Sequence, residues 1–257
     1  MKTKLIEIIK QASEIFKDGY YKNKEITFKG KKDLVTEYDV AVEQFLKEKF
    51  HEAFPNYNII AEESDNTEVE FHNSIIIDPI DGTTNFVNQI PHCAISVGVY
   101  RDKNPYMGVV YNPILDELFF AEVGKGAYLN GELIKVSQDS ELITALIATG
   151  FPYSAGHNKN DLNMVTRIIG NMLPNSQDVR RLGSASLDLC YVAQGKFGGY
   201  YEINLKPWDV SAGVIIVSEA GGVVTNEKSE PFDMFEDKMM VASNRLIHEE
   251  FLGQINS

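Results

Sequence analysis

The segment that decides the fold is residues 74–86, SIIIDPIDGTTNF. Its three consecutive isoleucines predict a short strand that is buried on both faces. We expect the strand to stop at Asp78, because Pro79 cannot donate to a β-ladder and disfavours a helical residue before it. Asp81 and the run Gly82-Thr83-Thr84 follow at once, and the glycine permits close approach of the backbone to a ligand. One strand thus carries two carboxylates and several small polar residues to its end.

Two interpretations of this segment remain open. Paired carboxylates beside small hydrogen-bonding residues suit a divalent cation that lies next to a phosphate. Asp-Pro and Asp-Gly are also common turn dipeptides, and an aspartate after a strand often only closes an Asx-turn. The segment alone does not separate a metal site from turn chemistry, so other parts of the chain must decide.

The composition narrows the function classes. A chain of 257 residues suits one large domain or two fused lobes. The formal net charge of -13 argues against a general nucleic-acid or anionic-membrane partner. The first sixteen residues intersperse charges and no apolar run is long enough to span a bilayer, so neither a signal peptide nor a membrane segment is expected. Cys93 and Cys190 have no metal-ligand or disulfide spacing. We therefore expect buried thiols and a cytoplasmic protein.

In the first half of the chain, apolar spacing predicts a helix that ends near Gly19 and a second helix over residues 36–54. Strands are expected at 58–61, 93–100, 106–111 and 117–123, with an Asn-Gly hairpin within 127–134. The hairpins indicate a largely antiparallel sheet packed against the two helices. The basic loop Lys29-Gly30-Lys31-Lys32 is typical of a solvated surface loop, and a mobile loop that enters an anionic site is the alternative.

In the second half, helices are expected at 160–173, 184–194 and 210–219, with a further helix at the end of the chain. They alternate with strands at 178–181, 198–202 and 239–242. This alternation is typical of an α/β lobe. We therefore expect an N-terminal lobe over residues 1–148 and a C-terminal lobe over residues 149–257, joined as one compact unit.

Further carboxylates lie where they could join the two aspartates. Glu62 follows the 58–61 strand, and Asp209 lies in the segment PWDVSAG at 207–213. Asp209 is also well placed as a helix N-cap. Oxygen-only ligands suit Mg²⁺, Mn²⁺ or Ca²⁺, and the absence of His or Cys partners argues against zinc. His92 is expected in the core, and the other histidines (51, 72, 157 and 248) are expected to be isolated in charged surroundings.

Other phosphate-handling and hydrolytic motifs are absent from the sequence. The chain has no G-x-x-x-x-G-K-[ST] loop and no G-x-S-x-G elbow. Gly124-Lys125-Gly126 lacks the third glycine of a dinucleotide fingerprint and lies in a hairpin region. Nucleoside-triphosphate binding of the P-loop type and serine hydrolysis of the α/β-hydrolase type are therefore not indicated.

The chain contains two long motifs, DPIDGTTNF at 78–86 and WDVSAGVIIVSEAGG at 208–222. Both resemble the signature motifs of the inositol monophosphatase family. Shorter matches follow the family order: DLVTEYD at 33–39, EES at 62–64, GSA at 183–185 and YYE at 200–202. The family often has glycine before its EE pair, whereas this chain has Ala61, a change that removes no ligand. The resemblance implies an α/β (α+β) fold with layered αβαβα architecture and a site between lobes.

The resemblance also implies a set of site residues. Two or three Mg²⁺ ions, with Mn²⁺ as a substitute, would be held by Glu62, Asp78, the carbonyl of Ile80, Asp81 and Asp209. Thr83, oriented by Asp39 and aided by Glu62, would help position and deprotonate the attacking water. The implied substrate-binding residues are Asp81, Gly82, Thr83, Thr84, Gly183, Ser184, Ala185, Glu202 and Asp209.

The expected activity is Mg²⁺-dependent hydrolysis of a small phosphate monoester, foremost inositol 1-phosphate or a similar polyol phosphate. The alternative substrates are the 2′-phosphate of NADP and 3′-phosphoadenosine 5′-phosphate. A binding or regulatory protein that keeps the metal pocket without turnover is the alternative of another class. The resemblance further implies a homodimer and inhibition by lithium. Substrate choice is expected to depend on the loops around residues 151–160 and 183–206.

Overall fold

The computed structural model describes residues 1–28, 34–64, 66 and 70–257. The predicted basic loop at residues 29–32 lies outside them. The α-helices are α1 (Lys2–Tyr21), α2 (Glu37–Ala53), α3 (Thr83–Val87), α4 (Lys159–Asn175), α5 (Ala185–Ala193), α6 (Pro207–Glu219) and α7 (His248–Asn256). The strands are β1 (Ile26–Phe28), β2 (Leu34–Thr36), β3 (Asn58–Ala61), β4 (Ser74–Asp81), β5 (Ala94–Arg101), β6 (Asn104–Asn112), β7 (Glu117–Glu122), β8 (Ala127–Leu129), β9 (Glu132–Ile134), β10 (Leu146–Thr149), β11 (Asp178–Arg180), β12 (Gly199–Ile203), β13 (Val223–Thr225) and β14 (Met239–Ser243).

Two large sheets form the frame. The first has seven strands in the order β3-β4-β5-β6-β7-β8-β9. Only β3 and β4 are parallel in it, and the other neighbours pair antiparallel, so the predicted antiparallel character is confirmed. The second has five strands in the order β11-β10-β12-β14-β13. A small antiparallel pair, β1 and β2, precedes α2.

The helices and sheets stack in five layers. Helices α1 and α2 cover one face of the seven-stranded sheet, where Phe16 packs in the same core as Ile77. Helices α5 and α6 fill the space between the two sheets, and Leu187 of α5 shares that core with Ile76. Helices α4 and α7 cover the outer face of the five-stranded sheet. The αβαβα architecture implied by the sequence is confirmed.

Strand β4 corrects one prediction. It does not stop at Asp78 but continues to Asp81. The pairing with β5 shifts between Asp78, opposite Ser96, and Asp81, opposite Ala94, so β4 has one residue more than its partner. Such a bulge removes the need for a ladder donor at Pro79. Both aspartates are consequently buried at the end of a strand and do not lie in an exposed turn.

Helix α6 lies unusually close to the seven-stranded sheet. Gly98 of β5 and Gly108 of β6 are cross-strand partners. A Cβ atom at Gly98 would lie 2.5 Å from Ser211 Oγ, and one at Gly108 would lie 2.6 Å from the Ala212 carbonyl oxygen. Only glycine permits this approach at both positions. The close contact fixes the first turns of α6, and with them Asp209, against the sheet that carries the other carboxylates.

Some elements and contacts were not predicted from the sequence. Strands β1, β2, β10 and β13 are short, and their sequences gave no separate signal. His248 was predicted to be isolated in charged surroundings, which is wrong, because it is buried between Ser243 (Nδ1 to Oγ, 2.8 Å) and Thr225 (Nε2 to Oγ1, 3.0 Å). The division into lobes at residues 148 and 149 stays a prediction. None of the helices in the described ranges has the length and apolarity of a bilayer-spanning segment.

Candidate active site

The parallel pair β3 and β4 brings the first two carboxylates together. Ala61 is the register partner of Ile77, and the backbone N–H of Glu62 donates to the Ile77 carbonyl at 3.2 Å. Glu62, the first residue after β3, is therefore level with Asp78 of the neighbouring strand β4. Asp78 accepts a hydrogen bond from the backbone N–H of Ile80 at 3.1 Å, which orients its carboxylate at the bulge.

Asp81 connects the seven-stranded sheet to α5. Its Oδ2 atom accepts hydrogen bonds from Ser184 Oγ and from the backbone N–H of Ser186, each at 2.7 Å. Burial raises the pKa of Asp81, and the hydrogen bonds from Ser186 and Ser184 oppose that rise. Ser184 thus lies behind Asp81 and acts on it directly.

Asp209 lies in the first turn of α6. Its Oδ2 atom accepts a hydrogen bond from the backbone N–H of Lys206 at 2.7 Å. The sequence suggested an N-cap, and the carboxylate does stabilise the helix start, although from the third helical position. Asp209 also lines the same cavity as Glu62, Asp78 and Asp81. Helix capping and a place in the cavity are therefore compatible.

The carboxylates of the cavity repel one another. Burial, followed by the charges of Glu62, Asp81 and Asp209, raises the pKa of Asp78 well above its ordinary value. Burial and then the charge of Glu62 raise the pKa of Asp209 in the same way. A buried set of like charges is stabilised by cations, and its oxygen ligands suit a hard metal ion.

The donor atoms of these side chains are all oxygens, which suits a hard cation such as Mg²⁺, Mn²⁺ or Ca²⁺. In the part of the chain that the structure describes, no three His, Cys, Asp or Glu side chains are already drawn together as a ready metal-binding group. The fit accordingly rests on the type of ligand atom, on the shared cavity and on the mutual repulsion of the acids.

Thr83 lies between an acid and a carbonyl group. Its hydroxyl is 3.1 Å from Asp39 Oδ1 and 3.1 Å from the Ile80 carbonyl oxygen. Asp39 is buried, and its other oxygen accepts hydrogen bonds from the N–H (2.7 Å) and hydroxyl (2.5 Å) of Thr36 at the start of α2. Burial raises the pKa of Asp39, and the Thr36 hydrogen bonds oppose the rise. The acid is thus held in one orientation behind the threonine.

Gly82 makes the turn between β4 and α3. Its φ angle of 89° is left-handed, a region that favours glycine. A Cβ atom here would lie 3.0 Å from the His92 carbonyl oxygen and 3.1 Å from that of Gly183. The turn places Thr83 and Thr84 at the start of a helix, where backbone N–H groups have no helical acceptor.

A single cavity of about 810 Å³ joins these groups. Most of the predicted site residues line it: Glu62, Asp78, Ile80, Asp81, Gly82, Thr83, Thr84, Gly183, Ala185, Glu202 and Asp209. Asp39 and Ser184 are not among the lining residues, and both lie behind residues that are.

Sequence reasoning missed the outer wall of the cavity. This wall includes Phe151, Tyr153, Arg181, Trp208, Phe235 and Lys238. The first three fall within or beside the loops that were expected to govern substrate choice. Phe235 and Lys238 lie in the segment between β13 and β14, which carries no motif.

Glu202 is a half-buried acid near the end of β12. Burial raises its pKa to about 7, and the hydrogen bond that it accepts from the Tyr200 hydroxyl opposes the rise. A methyl group at Gly150 would overlap the Glu202 carboxylate, so this acid is closely packed on that side. Glu202 can accept a hydrogen bond from a ligand hydroxyl when it is ionised.

His92 is buried, as the sequence predicted, and its Nε2 lies 3.1 Å from Asp188 Oδ1. Burial raises the pKa of Asp188 to about 6, against the influence of His92. Cys93 and Cys190 are buried free thiols, which confirms another expectation.

The chain is similar to known proteins over its whole length. The model of the inositol monophosphatase family matches residues 1–257. Inositol monophosphatase 3 of Solanum lycopersicum is 42% identical over 258 residues, a match that covers 98% of this chain and 94% of that protein. The extragenic suppressor protein suhB from Bartonella henselae has a TM-score of 0.92 at 33% identity and covers 100% of this chain and 98% of its own.

A third similar protein has been solved with ligands. SaIMPase-II bound to inositol monophosphate has a TM-score of 0.82 at 29% identity, with 98% of this chain and 92% of that chain covered. The same protein has been solved with 2′AMP bound, at 30% identity and the same TM-score of 0.82. The chain belongs to the inositol monophosphatase family, whose members are metal-dependent phosphoric monoester hydrolases.

Proposed function

We propose that this chain is a Mg²⁺-dependent phosphatase that hydrolyses inositol 1-phosphate or a similar polyol phosphate. The observation that supports this most strongly is the meeting of Glu62, Asp78, Asp81 and Asp209 in one cavity beside the Gly82 turn. Four acids would repel a phosphate dianion unless cations were present, so the proposed activity depends on metal.

The proposed cation ligands are the four carboxylates of the cavity and the carbonyl oxygen of Ile80. Their number suits two or three Mg²⁺ ions, with Mn²⁺ as a substitute. When bound, these ions would neutralise the phosphate charge and acidify the attacking water. Burial, and after it repulsion from Glu62 and Asp81, raises the pKa of Asp78, and bound cations would stabilise its charged form.

Thr83 and Asp39 are proposed to orient the attacking water. The Thr83 hydroxyl can donate its single hydrogen bond to Asp39 Oδ1, which lies 3.1 Å away. That leaves the threonine oxygen free to accept a hydrogen bond from water, which aims the water lone pair in a fixed direction. Glu62 lines the same cavity and is the proposed acceptor of the water proton. Positioned proton transfer of this kind typically contributes about 10²–10⁴-fold to the rate.

The phosphate and the leaving alcohol are proposed to bind on opposite sides of Asp81. Gly82, Thr83 and Thr84 would donate backbone N–H groups to the phosphate, in the favourable field of a helix start. Glu202 would accept a hydroxyl of the alcohol. The remaining proposed alcohol contacts are Asp81, Gly183, Ser184, Ala185 and Asp209, with Ser184 acting through its hydrogen bond to Asp81.

A panel of phosphate monoesters tests the proposal. Phosphate release is measured with inositol 1-phosphate, glycerol phosphates, 2′-AMP, NADP and 3′-phosphoadenosine 5′-phosphate, with and without Mg²⁺. We expect the highest kcat/KM for the polyol phosphate and no release without the metal. Absence of release from every ester, together with tight metal and phosphate binding, would instead support a binding or regulatory protein.

A specific observation favours nucleotides as second candidate substrates. The outer wall of the cavity carries three aromatic side chains that are largely exposed: Phe151 (41%), Tyr153 (49%) and Phe235 (45%). Exposed aromatic faces offer stacking surfaces for a base, at about 1–3 kcal/mol each by alanine substitution. Replacement of Phe235 with alanine would lower kcat/KM for 2′-AMP and leave that for the polyol phosphate unchanged if the base stacks there.

Quaternary structure and inhibition are also part of the proposal. We propose a cytoplasmic homodimer, to be tested by light scattering during size-exclusion chromatography. We further propose inhibition by lithium through competition at one of the Mg²⁺ positions. Inhibition that weakens as Mg²⁺ is raised would support this competition.

A further inference from the structure

A buried acid outside the proposed catalytic set joins three loops of the cavity wall. Asp161 lies in the first turn of α4 and is only 2% exposed. It accepts a hydrogen bond from Lys238 Nζ at 2.6 Å and one from Asn204 Nδ2 at 3.0 Å. The hydrogen bond and charge of Lys238 are the main reason that the pKa of Asp161 is lowered.

Each partner of Asp161 belongs to a different loop. Ser154 lies in the 3-10 turn Tyr153–Gly156, Asn204 follows β12, and Lys238 precedes β14. Ser154 contributes a side-chain hydrogen bond that also lowers the pKa of Asp161. All three residues line the cavity, whereas Asp161 itself does not. Asp161 is therefore the common anchor behind the wall.

Asn204 is the centre of the network. Its side-chain amide donates to both Asp161 Oδ2 and Ser154 Oγ, the latter at 2.8 Å. Its backbone N–H donates to the Lys238 carbonyl oxygen at 2.7 Å. Its φ angle of 61° is left-handed, a conformation that asparagine tolerates better than most residues. Both the side chain and the backbone of Asn204 are thus fixed by neighbouring loops.

We propose that Asp161 is a positioning residue that sets the leaving-group wall of the cavity through Asn204. The segment that Asn204 anchors connects Glu202 of β12 to Asp209 of α6, and these are two of the residues assigned above to the leaving alcohol. Displacement of that segment would move Glu202 relative to the phosphate. The inference rests on the proposed function, because it concerns how that site selects its substrate.

The two halves of the proposed substrate would bind to different parts of the cavity. The phosphate half would bind at the Gly82 turn, and in the described part of the chain no hydrogen bond joins Asp161 to that turn. The alcohol half faces the wall that Asp161 holds. Loss of the anchor should therefore weaken recognition of the alcohol and leave recognition of inorganic phosphate intact. A general loss of folding would lower the amount of active protein without altering KM.

The test compares the Mg²⁺-loaded wild type with Asp161→Asn, Asn204→Gly, Lys238→Met and Lys238→Arg. Asn204→Gly keeps access to the left-handed conformation while removing the amide. Asp18→Asn is the matched control, because Asp18 also pairs with a lysine (Lys22, 2.7 Å) but on the exposed side of α1. For each protein we measure KM and kcat for inositol 1-phosphate, Ki for inorganic phosphate and the unfolding temperature.

We expect Asp161→Asn and Asn204→Gly to raise KM by about tenfold, the usual scale for loss of a hydrogen bond to a charged group. Ki for inorganic phosphate should not change. Lys238→Met should give a smaller rise in KM, and Lys238→Arg should restore the wild-type value. An unchanged KM in Asp161→Asn and Asn204→Gly, or parallel rises in KM and Ki, would overturn the inference. A wild type that releases no phosphate would overturn the proposed function as well.

Discussion

The hydroxyl of Thr83 lies 3.1 Å from the carboxylate of Asp39, although the two residues are 44 positions apart in the sequence. Asp39 belongs to α2, which covers one face of the seven-stranded sheet, and Thr83 begins α3 at the end of β4. The contact therefore links the outer helical layer to the cavity. It gives Thr83 a defined hydrogen-bond acceptor on the side away from the cavity.

Replacement of Asp39 tests the importance of this contact. In Asp39→Asn the amide can still occupy the helix start, but its NH2 group can donate to Thr83, which the carboxylate cannot do, so the Thr83 hydroxyl is no longer held in one orientation. We expect kcat to fall by about 10²–10⁴-fold, with little change in the unfolding temperature. Glu37→Gln, an exposed change in the same helical turn, is the control and should retain full activity. Wild-type kcat in Asp39→Asn would contradict the proposed role of Asp39.

Removal of one cavity charge should have opposite effects on stability and activity. In metal-free protein, Asp209→Asn relieves repulsion from Glu62 while the amide oxygen can still accept from Lys206. We expect an unfolding temperature that is higher by at least about 2 °C together with loss of turnover. Calorimetry with chelator and phosphate release with Mg²⁺ measure the two effects. A less stable metal-free variant that stays active would mean that Asp209 serves mainly the helix.

Glu202 should make the stability of the metal-free protein depend on pH. In the folded protein the pKa of Glu202 is about 7, which is above the ordinary value of a glutamate. At low pH Glu202 is neutral and the folded protein keeps its full stability. This stability is lost as the pH rises through 7, because the carboxylate then ionises where its charge is unfavourable. Glu202→Gln removes this dependence. We therefore expect the variant to gain stability over the wild type between pH 5 and pH 8, by up to about 3 kcal/mol.

Urea unfolding of both proteins across that pH range measures the difference. Glu48→Gln, an exposed change on α2, is the control and should follow the wild-type curve. A constant difference between Glu202→Gln and the wild type at all pH values would show that Glu202 is ionised throughout.

Alanine variants of two glycines form a matched pair that distinguishes a specific role of the Gly82 turn from simple backbone strain. Gly82 and Gly124 both have left-handed φ angles, of 89° and 78°. A Cβ atom at Gly82 would approach two carbonyl oxygens, whereas at Gly124 no atom of the described residues, its chain neighbours apart, lies within 4 Å. Both alanine variants should lose about 1 kcal/mol from strain. Only Gly82→Ala should also lose phosphate release and raise Ki for inorganic phosphate. Equal behaviour of the two variants would count against a specific role for the turn.

Much of the fold could be predicted because its signals are local. The apolar spacing of α1 and α2, the isoleucine run of β4 and the hairpin turns gave the correct element types and a largely antiparallel sheet. The end of β4 was wrong because a bulge, which depends on the pairing with β5, accommodates Pro79. Strand β10 was missed because its four residues are defined by its parallel partners β11 and β12.

The site was predictable where residues are adjacent in sequence or belong to a recognised motif. Asp78, Asp81 and Gly82 lie in one segment, and the motif around Asp209 connected it to them. The anchor at Asp161 could not be predicted, because its partners Asn204 and Lys238 are brought to it only by the five-stranded sheet. A lone aspartate in a helical first turn is, from sequence alone, simply a residue that favours that position.

We propose above that Glu62, Asp78, Asp81 and Asp209 hold hard cations where the phosphoryl group of an ester binds. The most direct measurement is the rate of phosphate release from inositol 1-phosphate by chelator-treated protein as Mg²⁺ is added back. We predict no release without the metal and saturable recovery with it. Release at the normal rate by the chelated protein would contradict the account.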